Sequence, residues 1–152
     1  MLVQFSKFVE WPSEQLPAGS GPFVIAVVGD DSFSEILDRI VESQTIAGHE
    51  IVSRRYKTIA DLDGIPHVLF VSRSEQLRLS KLKGRFSAAG VLTVGDADNF
   101  AQNNGIIGFV QDQDRVAFDV NVGHAERCRL KISSKLLALA KRVIATPSEA
   151  GR

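Results

Sequence analysis

The chain reads as an α/β protein: a single-domain α/β sandwich with a mainly parallel central sheet of about five or six strands, a C-terminal antiparallel hairpin and helices on both faces. Three observations predict this. Short, uniformly apolar and β-branched runs such as Phe23–Val28 and His67–Val71 are what strands buried on both faces look like. Stretches with helical apolar spacing separate them. Near the C-terminus, two apolar segments flank the polar turn Gln111-Asp112-Gln113-Asp114, the mark of a hairpin. The domain is expected over 1–145, with 146–152 a frayed tail.

The elements follow in order. Leu2, Phe5, Phe8 and Val9 share one helical stripe, and Pro12 ends it because the residue before a proline is pushed out of the helical region. No N-cap residue precedes Leu2, so the expectation is a first helix cut from a longer one. Ser13 to Pro22 is a loop by its Pro, Gly and Ser content. Phe23–Val28 is a strand closing on Gly29-Asp30-Asp31. Ser32 and Glu35 make a capping box for a helix with the stripe Phe33, Ile36, Leu37, Ile40 and Val41. A turn at Ile46 to Gly48 leads to a strand over Glu50 to Tyr56, and Ile59 to Leu62 is a short helix. His67–Val71 is the third strand, followed by Ser72-Arg73-Ser74 and a helix through about Leu82. Gly90 to Val94 is the fourth strand, ending at Gly95-Asp96, and Asp98 to Gln102 is a short helix. Ile106 to Val110 and Val116 to Asn121 form the hairpin. A long helical tract is expected from about Val122 to Ile144, with a break near Arg129.

Composition excludes several functions. Eighteen Lys and Arg balance eighteen Asp and Glu, so the formal charge is zero. A general nucleic-acid binder needs a basic excess to displace counterions from phosphates. No apolar run approaches the roughly 20 residues that span a bilayer. The one cysteine, Cys128, excludes an intrachain disulfide framework and a Cys-rich zinc site, and by itself leans cytosolic. No G-x-G-x-x-G fingerprint follows the first strand, and neither a phosphate-binding P-loop nor a G-x-S-x-G elbow is present. The histidines are His49, His67 and His124. His67 enters a buried strand, where a hydrogen-bonded core imidazole is expected. His124 and Cys128 lie four apart, but the further ligands a metal needs are not evident, so no metal site is assigned.

Two sets of residues remain as candidate sites. Parallel sheets bind ligands at the carboxyl ends of their strands. The candidate ligand rim there is Asp30, Asp31, Ser32, Arg54, Arg73, Ser74 and Asp96, a mixed acid and base rim suited to a small zwitterion or a peptide. Gly-Asp turns and Ser caps also occur for conformational reasons alone. The second set is a candidate partner interface of Trp11, Lys131, Lys135 and Arg142. Arg127, Arg129, Lys131, Lys135, Lys141 and Arg142 stand against the single acid Glu126 in the C-terminal tract. Ile132, Leu136, Leu139, Ala140 and Val143 are expected to form the packed stripe of that helix, with Lys131, Lys135, Ala138 and Arg142 opposite. Such a face fits an acidic partner or an ordinary solvated surface.

Several stretches together resemble the YfiR-like family. They are Phe8-Val9-Glu10-Trp11-Pro12, Phe23 to Asp31, His67 to Val71, Val91 to Asp96 and Leu130 to Leu137, in this order across nearly the whole chain. The resemblance implies a periplasmic regulatory protein of Gram-negative bacteria. It represses a membrane diguanylate cyclase by binding its periplasmic sensor domain, and so lowers cyclic di-GMP and biofilm formation. It also implies an outer-membrane lipoprotein that sequesters the repressor, and a signal peptide upstream of Met1. No catalytic residue and no cofactor come with it. Relatives often carry a Cys before the His-Val-Leu-Phe stretch, where Pro66 stands here, so an intramolecular redox disulfide is not expected; a bridge between chains through Cys128 stays open. The alternative is a small-molecule-sensing module associated with a histidine kinase. A small hydrolase or transferase ranks third, for want of a nucleophile and base at recognisable spacing. A homodimer is expected because two-fold dimers are the commonest assembly.

Overall fold

In the computed structural model the described residues are 5, 7–11, 21–29, 45–46, 48–62, 64–72, 90–96, 99–103, 105–112 and 115–144. Their strands are β1 (Val9–Glu10), β2 (Phe23–Val28), β3 (Thr45–Ile46), β4 (His49–Tyr56), β5 (Val68–Val71), β6 (Leu92–Gly95), β7 (Ile107–Asp112), β8 (Arg115–Asn121), β9 (Lys131–Ile132) and β10 (Arg142–Ile144). Three short helices, α1 (Phe100–Asn103), α2 (Val122–Arg127) and α3 (Ser134–Leu139), accompany a 3-10 turn over Ile59–Asp61. The helices expected over 32–41 and 74–82 lie outside the described residues.

Eight strands form one sheet in the order β10-β8-β7-β6-β5-β2-β4-β3, and β1 pairs with β9 in a second, two-stranded sheet. The central ladders β4-β2-β5-β6-β7 are all parallel, so the sheet is mainly parallel as the apolar runs predict. The expectation of about five or six strands undercounts it. The short β3 and β10 bury too little to leave a sequence signal. The hairpin β7-β8 is antiparallel as expected, but it does not finish the edge, because β10 adds in parallel outside β8.

Alternation along the strands gives the sheet two apolar faces. Ile25, Val27, Val68, Phe70, Leu92, Val94, Ile107 and Val120 belong to one buried cluster, closed by Phe5, Val9, Ala125, Cys128, Leu130, Ile132 and Leu136. Ala26, Val28, Leu69 and Val71 belong to the other, with Ile59, Val91 and Phe100. Phe100 is held in a slot without side chains: a Cβ added at Gly95 or at Gly105 would overlap its ring.

Two helical expectations are corrected. The first stripe is helical at Phe5 and Lys7, but Val9–Glu10 is a strand. Val9 aligns with Ile132 and Glu10 with Lys131, and the Ser133 amide donates to the Phe8 carbonyl at 2.8 Å. The pairing with β9 overrides the local helical spacing. At the other end, the tract from Val122 to Ile144 is not one helix. It is α2, β9, α3 and β10. The break lies at Arg129, where one was expected, and Arg129 sits at φ +60°. The Leu130 amide donates to the Ala125 carbonyl at 2.9 Å and the Arg129 amide to the Glu126 carbonyl at 3.0 Å, the bond pattern of a Schellman stop. Leu130 and Ala125 are buried in the same cluster, which supplies the hydrophobic contact that accompanies this stop. Ser133 then caps α3, its hydroxyl accepting from the Lys135 amide at 3.1 Å. Of the expected stripe, Ile132 and Leu136 are buried, whereas Leu139 and Val143 are 68% and 48% exposed.

An arginine in the left-handed region carries a steric cost that glycine avoids. Arg129→Gly is expected to raise stability by about 0.5–1 kcal/mol in urea denaturation. A loss of stability would show that the Arg129 side chain contributes more than its backbone costs.

Candidate functional site

The carboxyl ends of the parallel strands lie side by side. Val28 aligns with both Tyr56 and Val71, and Val71 with Gly95. The Gly29 amide donates to the Tyr56 carbonyl at 2.9 Å and the Ser72 amide to the Val28 carbonyl at 3.0 Å, which stitches the ends together. The chain leaves β2 for β4 on one side and returns to β5 on the other, so strand order reverses between β2 and β5. Ligands of open parallel sheets sit outside such a switch point, here beyond Gly29 and Ser72. Of the candidate rim, Asp30, Asp31, Ser32, Arg73 and Ser74 lie outside the described residues. Asp96 follows β6 directly and is exposed. Arg54 is not at the rim. It is exposed within β4, opposite Ala26, and the strand runs on to Tyr56. The strand ends at Tyr56, as expected, so Arg54 falls two residues short of its carboxyl end.

The candidate partner residues divide. Trp11 is half-buried and meets the Phe23 ring edge-on at 5.2 Å, and Phe23 in turn stacks on His67 at 4.6 Å. His67 Nδ1 accepts from the Val24 amide at 3.0 Å, while the His67 amide donates to the Val24 carbonyl at 2.9 Å. This aromatic stack fastens the residues after β1 to the start of β2. Lys131 approaches Glu10 across the β1-β9 pair at 3.9 Å with both side chains largely in solvent, a contact of little energetic weight. Lys135 is exposed on α3. Arg142 reaches Asp119 Oδ2 at 3.4 Å. Lys131, Lys135 and Arg142 therefore stand on β9, α3 and β10, not on one helix face.

Asp119 is the residue that sequence reasoning missed. It is 1% exposed, on β8 directly opposite Arg142. Gln102 Nε2 donates to its Oδ2 at 3.4 Å, while Asp119 Oδ1 and Gln102 Oε1 are buried without a hydrogen-bond partner. Next to it, Asn121 is fully buried. Its Nδ2 donates to the Ala101 carbonyl at 2.8 Å and its Oδ1 accepts from the His124 amide at 3.0 Å, capping α2. His124 Nδ1 is 2.7 Å from the Gly105 carbonyl, to which it donates. His49 Nδ1 does the same toward Gly21 at 2.9 Å. These contacts tie α1, β8 and α2 together.

Cys128 follows α2, buried at 3% within the large apolar cluster. A bridge between chains requires that the thiol emerge. In the native protein it is expected to resist an aromatic disulfide reagent, and to react at once in denaturant. Full reaction within seconds under native conditions would contradict the burial. Among the described residues no group of three His, Cys, Asp or Glu side chains is arranged to hold a metal ion. Among them, too, no helix is long and apolar enough to cross a membrane.

Comparison with solved structures finds a likeness to a conserved domain protein from Vibrio cholerae O1 biovar El Tor str. N16961, at 14% identity and a TM-score of 0.57. The match covers 80% of this chain and 54% of that one, so the chain spans about half the length of that relative and the likeness speaks for the fold alone. No curated protein matches the sequence. The family described as YfiR/HmsC-like matches residues 1–141, almost everything from the first stripe to the threshold of β10. The chain belongs to the YfiR/HmsC-like family.

Proposed function

We propose that the protein is a non-enzymatic periplasmic regulator. It binds the periplasmic sensor domain of an inner-membrane diguanylate cyclase and represses it, which lowers cyclic di-GMP and biofilm formation. The family match over residues 1–141 carries this reading. The exposed basic side chains of the C-terminal segment support it, since they offer a surface for an acidic partner. An outer-membrane lipoprotein that competes for the regulator would release the cyclase. The test is a calorimetric titration with the periplasmic domain of a diguanylate cyclase from the same genome, joined to a cyclic di-GMP measurement on co-expression. Saturable binding near about 1 μM, equivalent to about −8 kcal/mol, and a fall in cyclic di-GMP are expected. Absence of heat with every such domain of the genome overturns the reading.

The switch point between β2 and β5 favours a second reading, a small-molecule sensor coupled to a histidine kinase or another membrane signalling protein. Sensing and partner binding coexist if the ligand prefers one conformer. A ligand at 100 times its dissociation constant adds about 2.7 kcal/mol of stability, so thermal shifts across a metabolite panel reveal it. A panel without a shift, or a shift that survives substitution of Asp30, Arg73 and Asp96, removes this reading.

A further inference from the structure

We propose that the outer edge of β10 is a docking strand for an extended, acidic segment of a partner protein. This rests on the reading of the chain as a partner-binding regulator, and it names the surface and the chemistry of the contact.

Among the described residues β10 ends the eight-stranded sheet, paired with β8 alone. The Lys141 amide donates to the Phe118 carbonyl of β8 at 2.7 Å. The Asn121 amide donates to the Ile106 carbonyl on the β7 side, so by alternation Phe118 and Val120 face β10. In the parallel register Arg142 and Ile144 therefore turn toward β8, and Val143 directs its N–H and C=O outward. An open strand edge of this kind is a template for a further strand. Beside it stand two exposed large hydrophobic side chains, Val143 on the strand and Leu139 at the end of the helix leading into it. Main-chain bonding to such an edge with side chains seated alongside is the geometry of β-augmentation.

Charge selects the occupant. Residues 127–144 contain six basic residues and no acidic one. Lys141 and Arg142 flank the edge itself, Lys135 lies on α3, and all three are exposed. A second copy docked edge to edge would set Lys141 and Arg142 against their own copies, and like charges on an edge are what proteins use to prevent self-pairing. An acidic strand with apolar residues at alternate positions meets both the sign and the exposed Val143.

The experiment uses the full chain and two synthetic octapeptides, one alternating Glu and Val, the other alternating Lys and Val. Binding is read by fluorescence anisotropy and by amide chemical shifts. The Glu-Val peptide is expected to bind, to shift the amide of Val143, and to weaken by about tenfold when salt rises from 0.05 to 0.5 M, on the order expected for screened surface charges. The Lys-Val peptide is expected not to bind. Val143→Pro removes the outward N–H yet leaves the bonds to β8, which come from Lys141, Arg142 and Ile144, and is expected to cut affinity by about tenfold or more. The pair Lys135→Glu and Lys141→Glu is expected to do the same through charge alone, and decides the matter if the proline variant does not fold. Equal binding of both peptides, no binding of either, or unchanged binding by a folded Val143→Pro overturns the proposal. So does self-association in sedimentation that Val143→Pro abolishes, since the edge would then belong to a second copy. If the peptides fail while the cyclase domain still binds in calorimetry, the regulator reading stands and its contact lies elsewhere. If the peptides bind and every cyclase domain fails, the edge stands and its partner is another acidic protein.

Discussion

Phe100→Ala is expected to destabilise the protein by about 3–5 kcal/mol, the upper range for a buried aromatic residue. The ring is 1% exposed and sits where α1 meets β6, β7 and β8. Cost at such a site depends on how far the surroundings collapse into the cavity. Here Gly95 and Gly105 line the ring, and neither has a side chain that could move in. The reciprocal change, Gly105→Ala, overfills the same slot and is expected to cost about 1–3 kcal/mol. Phe100→Ala combined with Gly105→Ala is expected to cost less than the sum of the two, because the added methyl enters the space the ring vacated. Urea denaturation of the four proteins measures all of this. Strict additivity would show that ring and glycine do not share one space.

Arg142→Ala is expected to cost about 2–3 kcal/mol. Removing one partner of a buried pair typically costs about 3–5 kcal/mol because a buried charge is left uncompensated. The Arg142 side chain is 59% exposed, so solvent already screens its half and the figure is reduced. What remains around Asp119 is one long bond from Gln102, with Oδ1 unpartnered. Asp119→Asn removes the charge and supplies an amide donor beside the unpartnered Gln102 Oε1. In that background Arg142→Ala is expected to cost under about 1 kcal/mol, a coupling of roughly 1–2 kcal/mol in a double-mutant cycle. Equal costs in both backgrounds would mean that Arg142 holds β10 by packing alone. The pair lies opposite across the β8-β10 ladder, so it also pins the register of the strand proposed to receive a partner.

The central strands were legible because burial on both faces demands continuous apolar runs, and β2, β5 and β6 stand within two residues of where those runs predict them. The C-terminal tract was not. The break expected near Arg129 is there, at φ +60°, but the helical spacing of Ile132 and Leu136 continues past it and conceals the strands β9 and β10. Asp119 was hidden for a related reason. Between Phe118 and Val120, period-two alternation assigns it to solvent. It is buried because Gln102 of α1 and Arg142 of β10 close over it from distant parts of the chain.

By itself, then, the sequence determined the α/β class with its mainly parallel sheet and the family, since both follow from local periodicity or the order of short motifs. Tertiary structure decided which strand adds outside the hairpin, that Val9–Glu10 pairs with Lys131–Ile132 rather than continuing a helix, and that Arg142 anchors a buried carboxylate. Each of those outcomes depends on backbone groups and charges brought together across most of the chain, where no local pattern records the partner.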